Sequence, residues 1–300
     1  MASPLLQDPT RAWELIERMP GFLVRNAVAE WPFYLLMTVA LGIGVWVDLR
    51  RRGALGSRYL TGGFRTDLIY AGVELSHVAH LVVLVPLTVA LNHFLATHAP
   101  WLRIGVGMPA WVELLALFIF WDFCVYWYHR ALHGNRYLWQ FHKVHHSQEQ
   151  LNAFSNFRVS LLDRSVNVTA LAIPTFMMGG NYSMPLLVIV FMQFQQLVQH
   201  IDTDWNGGWL DRIFVMPAFH VTHHSTSPHH ANRNFGNVFV VWDRLFGTAV
   251  ERGPSEMAFG LRDECVPESY IRQLLVPATG VLFELKRDLA LLRSATGGSR

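Results

Sequence analysis

The chain has 300 residues, 52% of them hydrophobic and only 15% charged, with a formal net charge of +2. Soluble chains average about 25% charged residues, so this composition fits a membrane protein with sizeable polar parts. The near-neutral balance and the lack of a basic repeat or finger motif give no case for nucleic acid binding, and two cysteines, Cys124 and Cys265, are too few for a disulfide framework.

In chain order, residues 1–30 are polar and mixed, so the first apolar run starts too late for an ordinary signal peptide. Trp31 to Val47 is uncharged and stops abruptly at Asp48, Arg50, Arg51 and Arg52. That pattern predicts a membrane helix with a basic cytoplasmic flank. Leu75 to Leu102 lacks Lys, Arg, Asp and Glu and predicts a second crossing. His77 and His80 sit near its start, where hydrogen bonding inside a polar bundle is the favoured reading over contact with a metal. Leu114 to Tyr128 is apolar and aromatic, broken only by Asp122, and should continue as a helix to His133 with Gly134 as its stop. An acid inside such a segment is usually functional. Ser165 to Ile201 is again free of charge but too long for one crossing. Gly179-Gly180-Asn181 and Pro185 split it into a hairpin of about 165–178 and 183–200. Beyond it the chain turns polar, with a turn at Asn234-Phe235-Gly236, a short VFVV piece, and amphipathic helical spacing from Ser269 to Arg293 that suits a membrane surface.

The histidines carry the chemistry. His129 and His133 are four apart, and the phrase HxxHHS occurs twice, as His142, His145, His146 and as His220, His223, His224. Residues three and four apart share a helix face, so each set points its imidazoles into one volume. Neutral imidazole is a good ligand for iron, zinc and copper. A single HxxH is usually a satisfied or surface pair, but three such sets in order are not. A structural ion takes about four ligands, so eight convergent imidazoles suit two metals. His200, four residues after Gln196 at the hairpin's end, is a ninth candidate. Asp122 falls on the same face as His129, seven residues on, and predicts a hydrogen bond to a ligating imidazole. Asn156, Asp202, His230 and Asn234 are further polar candidates for orienting rings, while Arg158 and Trp242 to Arg244 read as contacts that dock the polar cap. Lys and Arg concentrate on the same side as the histidine sets, which the positive-inside rule places in the cytoplasm.

HRALH, FHKVHHS and FHVTHHS, followed by NRNFG and WDRLFGT, resemble the fatty acid hydroxylase and sterol desaturase superfamily of integral membrane di-iron oxygenases. The resemblance covers roughly residues 66–250, and it divides the chain into 1–65 with a first membrane helix, a 66–250 catalytic domain and a 251–300 polar tail. It implies an all-α membrane bundle of about four to five crossings, with a cytoplasmic histidine-rich cap around two metals. The implied cofactors are two iron ions, with O2 as co-substrate and an external electron donor, since no cytochrome b5-like domain is fused. The implied partners are a membrane lipid substrate and a separate electron-transfer protein, and the implied reaction is hydroxylation of an unactivated C–H bond. Desaturation on the same scaffold is the alternative. Absence of a terminal retention signal favours a bacterial inner membrane over the endoplasmic reticulum. A zinc hydrolase would want a general-base glutamate as in HExxH, which the sequence lacks, and a transporter would spread polar residues across the bilayer midplane.

Overall fold

The computed structural model describes residues 59–297 apart from 60, 77, 106, 179–185, 204–206 and 252–256, together with helical residues 41–46 and isolated positions 35, 38, 39 and 50. The described residues form helices and irregular segments, with two isolated bridges, Phe214 to Phe239 and Ser225 to Phe259, and no named strand. The expectation of an all-helical chain is met in them.

Helix α1 (Gly62–Leu75) starts where the Thr61 side chain accepts from Phe64 N–H at 3.1 Å. A π-turn over His80–Leu84 leads into α2 (Val85–His98). Helix α3 (Ala110–Gly134) is 25 residues long and ends at Gly134 as anticipated. Asn135 then turns the chain and caps α4 (Arg136–His146), its side chain accepting from Tyr137 N–H at 2.9 Å and Leu138 N–H at 3.2 Å. This tight joint folds α4 back beside α3, which brings two histidine sets together.

Helix α5 (Leu161–Met177) is capped by Ser160, and α6 (Leu186–Gln199) returns from it, as the hairpin reading required; the turn itself lies outside the described residues. Two short helices follow, α7 (Pro217–His223) and α8 (Val241–Leu245). The charged and apolar alternation near the C-terminus forms one long helix, α9 (Tyr270–Gly297), packed on α4.

A buried polar network ties the segment after α4 to α1. Asp67 accepts from Arg158 Nε at 2.6 Å, Gln148 Nε2 at 2.7 Å and Asn152 Nδ2 at 3.1 Å. Arg158 also donates to the Gly63 carbonyl at 2.6 Å. The docking role expected of Arg158 is therefore observed. Around it, Tyr70, Ala71, Val144, Phe157 and Leu197 form an apolar core drawn from α1, α4, α6 and the turn at Ser155–Phe157.

Among the described residues, one helix, α3, is long and apolar enough to cross a membrane; Val82–His98 is apolar but shorter. Within the predicted Leu75–Leu102 crossing, the chain is helical from 78 to 98, through the π-turn and α2. Of the hairpin helices, α5 has 17 residues, about 26 Å against a hydrocarbon core of about 30 Å, and α6 is described from Leu186 to Gln199. Of the first predicted crossing, Trp31 to Val47, positions 35, 38, 39 and 41–46 are described and are helical; the rest lies outside the described residues.

Candidate metal centre

Nine histidines converge in two groups. His129, His133, His142, His146 and His223 form the first, and His145, His200, His220 and His224 the second; within each group one nitrogen per ring lies within 4.8 Å of all the others. The helices explain the sorting. His129 and His133 share a face of α3, and His142 and His146 share a face of α4, so both pairs point into the first group. His145, one step round α4, points into the second. On α7 the arrangement is reversed: His220 and His224 enter the second group, and His223 enters the first.

The ring orientations are set by the nitrogens that face away from each group. Nδ1 of His129 is 3.0 Å from the Phe235 carbonyl, and Nδ1 of His142 is 2.9 Å from Asp163 Oδ2. Nδ1 of His145, His200 and His223 lie 3.1, 2.8 and 2.7 Å from the carbonyls of Arg158, Gln196 and Arg233. A carbonyl or carboxylate accepts, so each Nδ1 carries the hydrogen and each neutral ring turns a bare Nε2 inward.

The inward Nε2 atoms, bare in those five rings, lie close to one another and to those of His146, His220 and His224. Nε2 of His129 is 3.1 Å from Nε2 of His142, and Nε2 of His145 is 3.2 Å from Nε2 of His200. The His146–His223, His200–His220 and His220–His224 Nε2 pairs lie 3.1, 3.1 and 3.2 Å apart. Two lone pairs at such a separation repel unless a cation lies between them. Metal–imidazole bonds of about 2.0–2.1 Å at angles between square and tetrahedral put neighbouring nitrogens about 3.0–3.4 Å apart. Nε2 of His133 is also buried with no partner. The residues present therefore fit two metal ions.

Burial supports the ligating protonation state. It holds His145, His146, His220 and His224 well below the usual histidine range, helped by neighbouring imidazoles. Burial likewise lowers His200 to about 4 and His223 to about 3, against the opposing pull of their Gln196 and Arg233 carbonyl contacts. All six are neutral at pH 7 and ready to ligate.

Behind the first group stands the segment Arg233-Asn234-Phe235. Asn234 has a left-handed backbone, φ 57°, and its flanking carbonyls serve His223 and His129. Its side chain donates to the carbonyls of Phe219 and Val250 at 2.9 Å each and accepts from Val250 N–H at 2.7 Å. Asp243 accepts from the N–H groups of Phe235 and Gly236 at 2.8 and 2.6 Å and from the Thr248 hydroxyl at 2.7 Å. A Cβ on Gly236 would lie 2.7 Å from the Phe239 carbonyl oxygen and 2.8 Å from Asp243 Oδ2, so only glycine fits. The NRNFG and WDRLFGT segments thus act as one clamp that aims two imidazoles.

Two expectations are corrected here. Asp122 does not reach an imidazole: it accepts from Val238 N–H at 2.8 Å, Phe239 N–H at 3.2 Å and Trp242 Nε1 at 2.8 Å. On α3 its seven-residue offset from His129 is about 10 Å of rise, too far for a shared hydrogen bond. Its partner Trp242 fulfils the docking role expected of that segment. Asn234 also meets backbone groups instead of a ring, and acts through its neighbours' carbonyls.

Asn156 lines the cavity described below, Asp202 is buried two residues past His200, and His230 sits in a turn outside both groups. His77 lies outside the described residues, and His80 opens the π-turn. Sequence reasoning missed Asp163, the carboxylate that does meet a ligand ring. It is also held by the Tyr128 hydroxyl, and its N–H is capped by Ser160 at 3.1 Å. The Ser-x-x-Asp spacing marks it only as a helix-start residue.

A cavity of about 120 Å³ borders both groups, reaching His129 and His142 on one side and His145, His200 and His220 on the other. Its remaining wall mixes apolar Trp121, Val125, Leu132 and Val159 with the carboxamides of Asn156, Asn167, Gln196, Gln199 and Asn237.

The chain matches the fatty acid hydroxylase family over residues 114–248, a span that contains all nine histidines. It is 31% identical to the ornithine lipid hydroxylase OlsE of Rhizobium tropici over 157 residues, 52% of this chain and 47% of that protein. It is 28% identical to alkylglycerol monooxygenase of Xenopus tropicalis over 247 residues, 78% of this chain and 49% of that protein. The human alkylglycerol monooxygenase is 31% identical over 148 residues, 47% of this chain and 31% of its own. The chain therefore spans between about a third and a half of the length of these relatives. No solved structure matches. The matched span, residues 114–248, holds the three histidine sets and the closing NFG and WDRLFGT segments, so the similarity to the fatty acid hydroxylase family falls on the metal centre itself.

Proposed function

We propose that this chain is a membrane-bound, O2-dependent di-iron hydroxylase acting on a C–H bond of a lipid. The observation that carries it is the pair of histidine groups, five and four rings, facing one cavity from two sides. An all-imidazole donor set suits iron, zinc and copper alike. The relatives' names, a lipid hydroxylase and monooxygenases, favour iron.

His129, His133, His142, His146 and His223 would hold one iron, and His145, His200, His220 and His224 the other. When bound, the irons supply reductive activation of O2: two electrons from an external donor and two protons are consumed, one oxygen atom enters the C–H bond as hydroxyl, and the other leaves as water. The protein's own work is placement. Carbonyls of Phe235, Arg233, Arg158 and Gln196, with Asp163, hold the rings in one tautomer. Trp121, Val125, Leu132 and Val159 give a hydrocarbon segment an apolar wall and keep water from the reacting position.

Membrane attachment is supported by α3 and by exposed apolar side chains around it, Phe94 on α2, Leu115 on α3 and Leu162 on α5 among them. On α9, Leu275, Leu282, Phe283 and Leu289 are exposed and suit a helix resting on the bilayer surface. The distribution of Lys and Arg supports a histidine cap on the cytoplasmic side of that membrane.

The test is incorporation of labelled oxygen. Iron-loaded protein in nanodiscs, given a reductant, a total polar lipid extract and 18O2, should yield a lipid heavier by one 18O atom. Products lacking two hydrogens and any label would establish a desaturase instead. No O2-dependent lipid product from fully loaded protein would overturn the redox reading.

A further inference from the structure

Much of the cavity wall beside the histidines is already committed. The Asp163 carboxylate is taken by His142 and Tyr128. Gln199 Nε2 donates to the Asn237 carbonyl at 2.6 Å. Outside the histidine rings, two N–H donors on cavity-lining residues stand apart. Nδ2 of Asn237 and Nε of Arg164 are both buried and have no partner in the protein.

The backbone at Asn237 is fixed: Gly236 N–H before it is held by Asp243, its own carbonyl by Gln199, and Val238 N–H after it by Asp122. Arg164 projects from α5 one residue after Asp163, and its outer nitrogen Nη2 is 3.4 Å from Glu74 Oε1. Glu74 balances its charge, so the subsite has no net call for an anion. What it lacks is a neutral acceptor.

A buried donor left unpaired is costly, and a site built with such donors rejects an analogue that lacks the matching acceptor. A bare hydrocarbon would fill the space beside His129, His142, His145, His200 and His220 while leaving both donors orphaned. A lipid segment with an oxygen at that point would not.

We propose that Asn237 and Arg164 form an oxygen-recognising subsite, which takes the neutral acceptor oxygen of a polar lipid (hydroxyl, ester, amide or ether) and so brings a carbon close to that oxygen, instead of one deep in the tail, against the histidine groups. The inference deepens the lipid-hydroxylase reading and rests on it for the word substrate; the recognition itself does not need turnover.

The experiment is a displacement assay on the metal-loaded protein in nanodiscs. Radiolabelled 1-hexadecanol is bound, then displaced by methyl palmitate or by heptadecane, with affinities given as mole fractions in the lipid. Methyl palmitate should displace at a mole fraction at least about tenfold lower than heptadecane, the scale of one lost hydrogen bond to a buried donor. Asn237→Leu and Arg164→Met should each shrink that ratio, at unchanged metal content and melting temperature. Equal displacement by heptadecane in the wild type, or no saturable binding of 1-hexadecanol, would overturn the inference whether or not any variant folds. A retained ratio in both folded variants would overturn the assignment to these residues. Selective binding without any 18O-labelled product from iron-loaded protein would support the subsite and sink the hydroxylase reading.

Discussion

The two histidine groups are near copies built from the same parts in opposite proportion. Helix α4 gives two rings to the first group and one to the second, whereas α7 gives one to the first and two to the second. The remaining ligands come from a third element each time. For the first group α3 supplies both His129 and His133; for the second, the end of α6 supplies His200, with Gln196 one turn earlier. The lesson is that each HxxHH motif is not a site. Each is half of two sites, and the second histidine of the motif is the one that crosses over.

The groups differ more in what stands behind them. The first leans on Asp163 and on the carbonyls of Arg233 and Phe235, all fixed by side chains of the cap. The second leans on the Arg158 and Gln196 carbonyls, and Arg158 is tied through Asp67 to α1. Asp67→Asn should therefore have the largest effect. Removing one partner of a buried ion pair costs about 3–5 kcal/mol, and the damage should reach the second group through His145. Unfolding in a mild-to-harsh detergent series, with metal content beside it, measures both; equal loss from the two groups would erase the distinction.

Asp163→Asn is the matching change in the first group. Loss of a carboxylate behind a ligating imidazole lowers metal affinity about 10–100-fold, and only one of two metals should weaken in a competitive chelator titration. Weakening of both would mean that the groups are not independent.

Acid should act on the groups together. His200 and His223 are lowered by burial to about 4 and about 3, while an unfolded histidine titrates near about 6.5. Between these values the unfolded chain binds more protons, so stability of the metal-free protein rises with pH there, by up to about 1.4 kcal/mol per pH unit for each such histidine, and is flat above about 6.5. Unfolding midpoints at about pH 5 and about pH 7.5 test the sign; a midpoint that falls toward higher pH would contradict neutral buried rings.

The smallest effect is expected at Gln196→Ala. Its carbonyl, which orients His200, survives the change, so metal content should stay at the wild-type level by mass spectrometry. A clear loss would show that the side chain, standing where α3 has a second histidine, is itself a ligand.

Much of this centre was legible in the sequence, because imidazoles spaced three and four apart on a helix have one way to converge. All eight core histidines and His200 fall in the two groups, and the stop at Gly134 and the hairpin follow from simple punctuation. The division of each motif between two groups was not legible, since it depends on how α4 and α7 face each other. Asp122 misled because a shared helical face was taken as proximity, when the chain rises about 10 Å in between. Asp163 stayed hidden because its sequence context reads as a cap, and the carbonyls of Arg158, Gln196, Arg233 and Phe235 carry no side-chain signal at all. The first hairpin helix starts four residues earlier than expected, at Leu161, because its Ser160 cap and its charged first turn lie outside the uncharged run.

The most direct measurement is iron per chain in the wild type, His223→Ala and His220→Ala, each purified from iron-supplemented cells in mild detergent. Two groups holding two ions give about two irons in the wild type and about one in each variant. About one iron or fewer in the wild type, or loss of both ions from either single change, would contradict two distinct histidine sites.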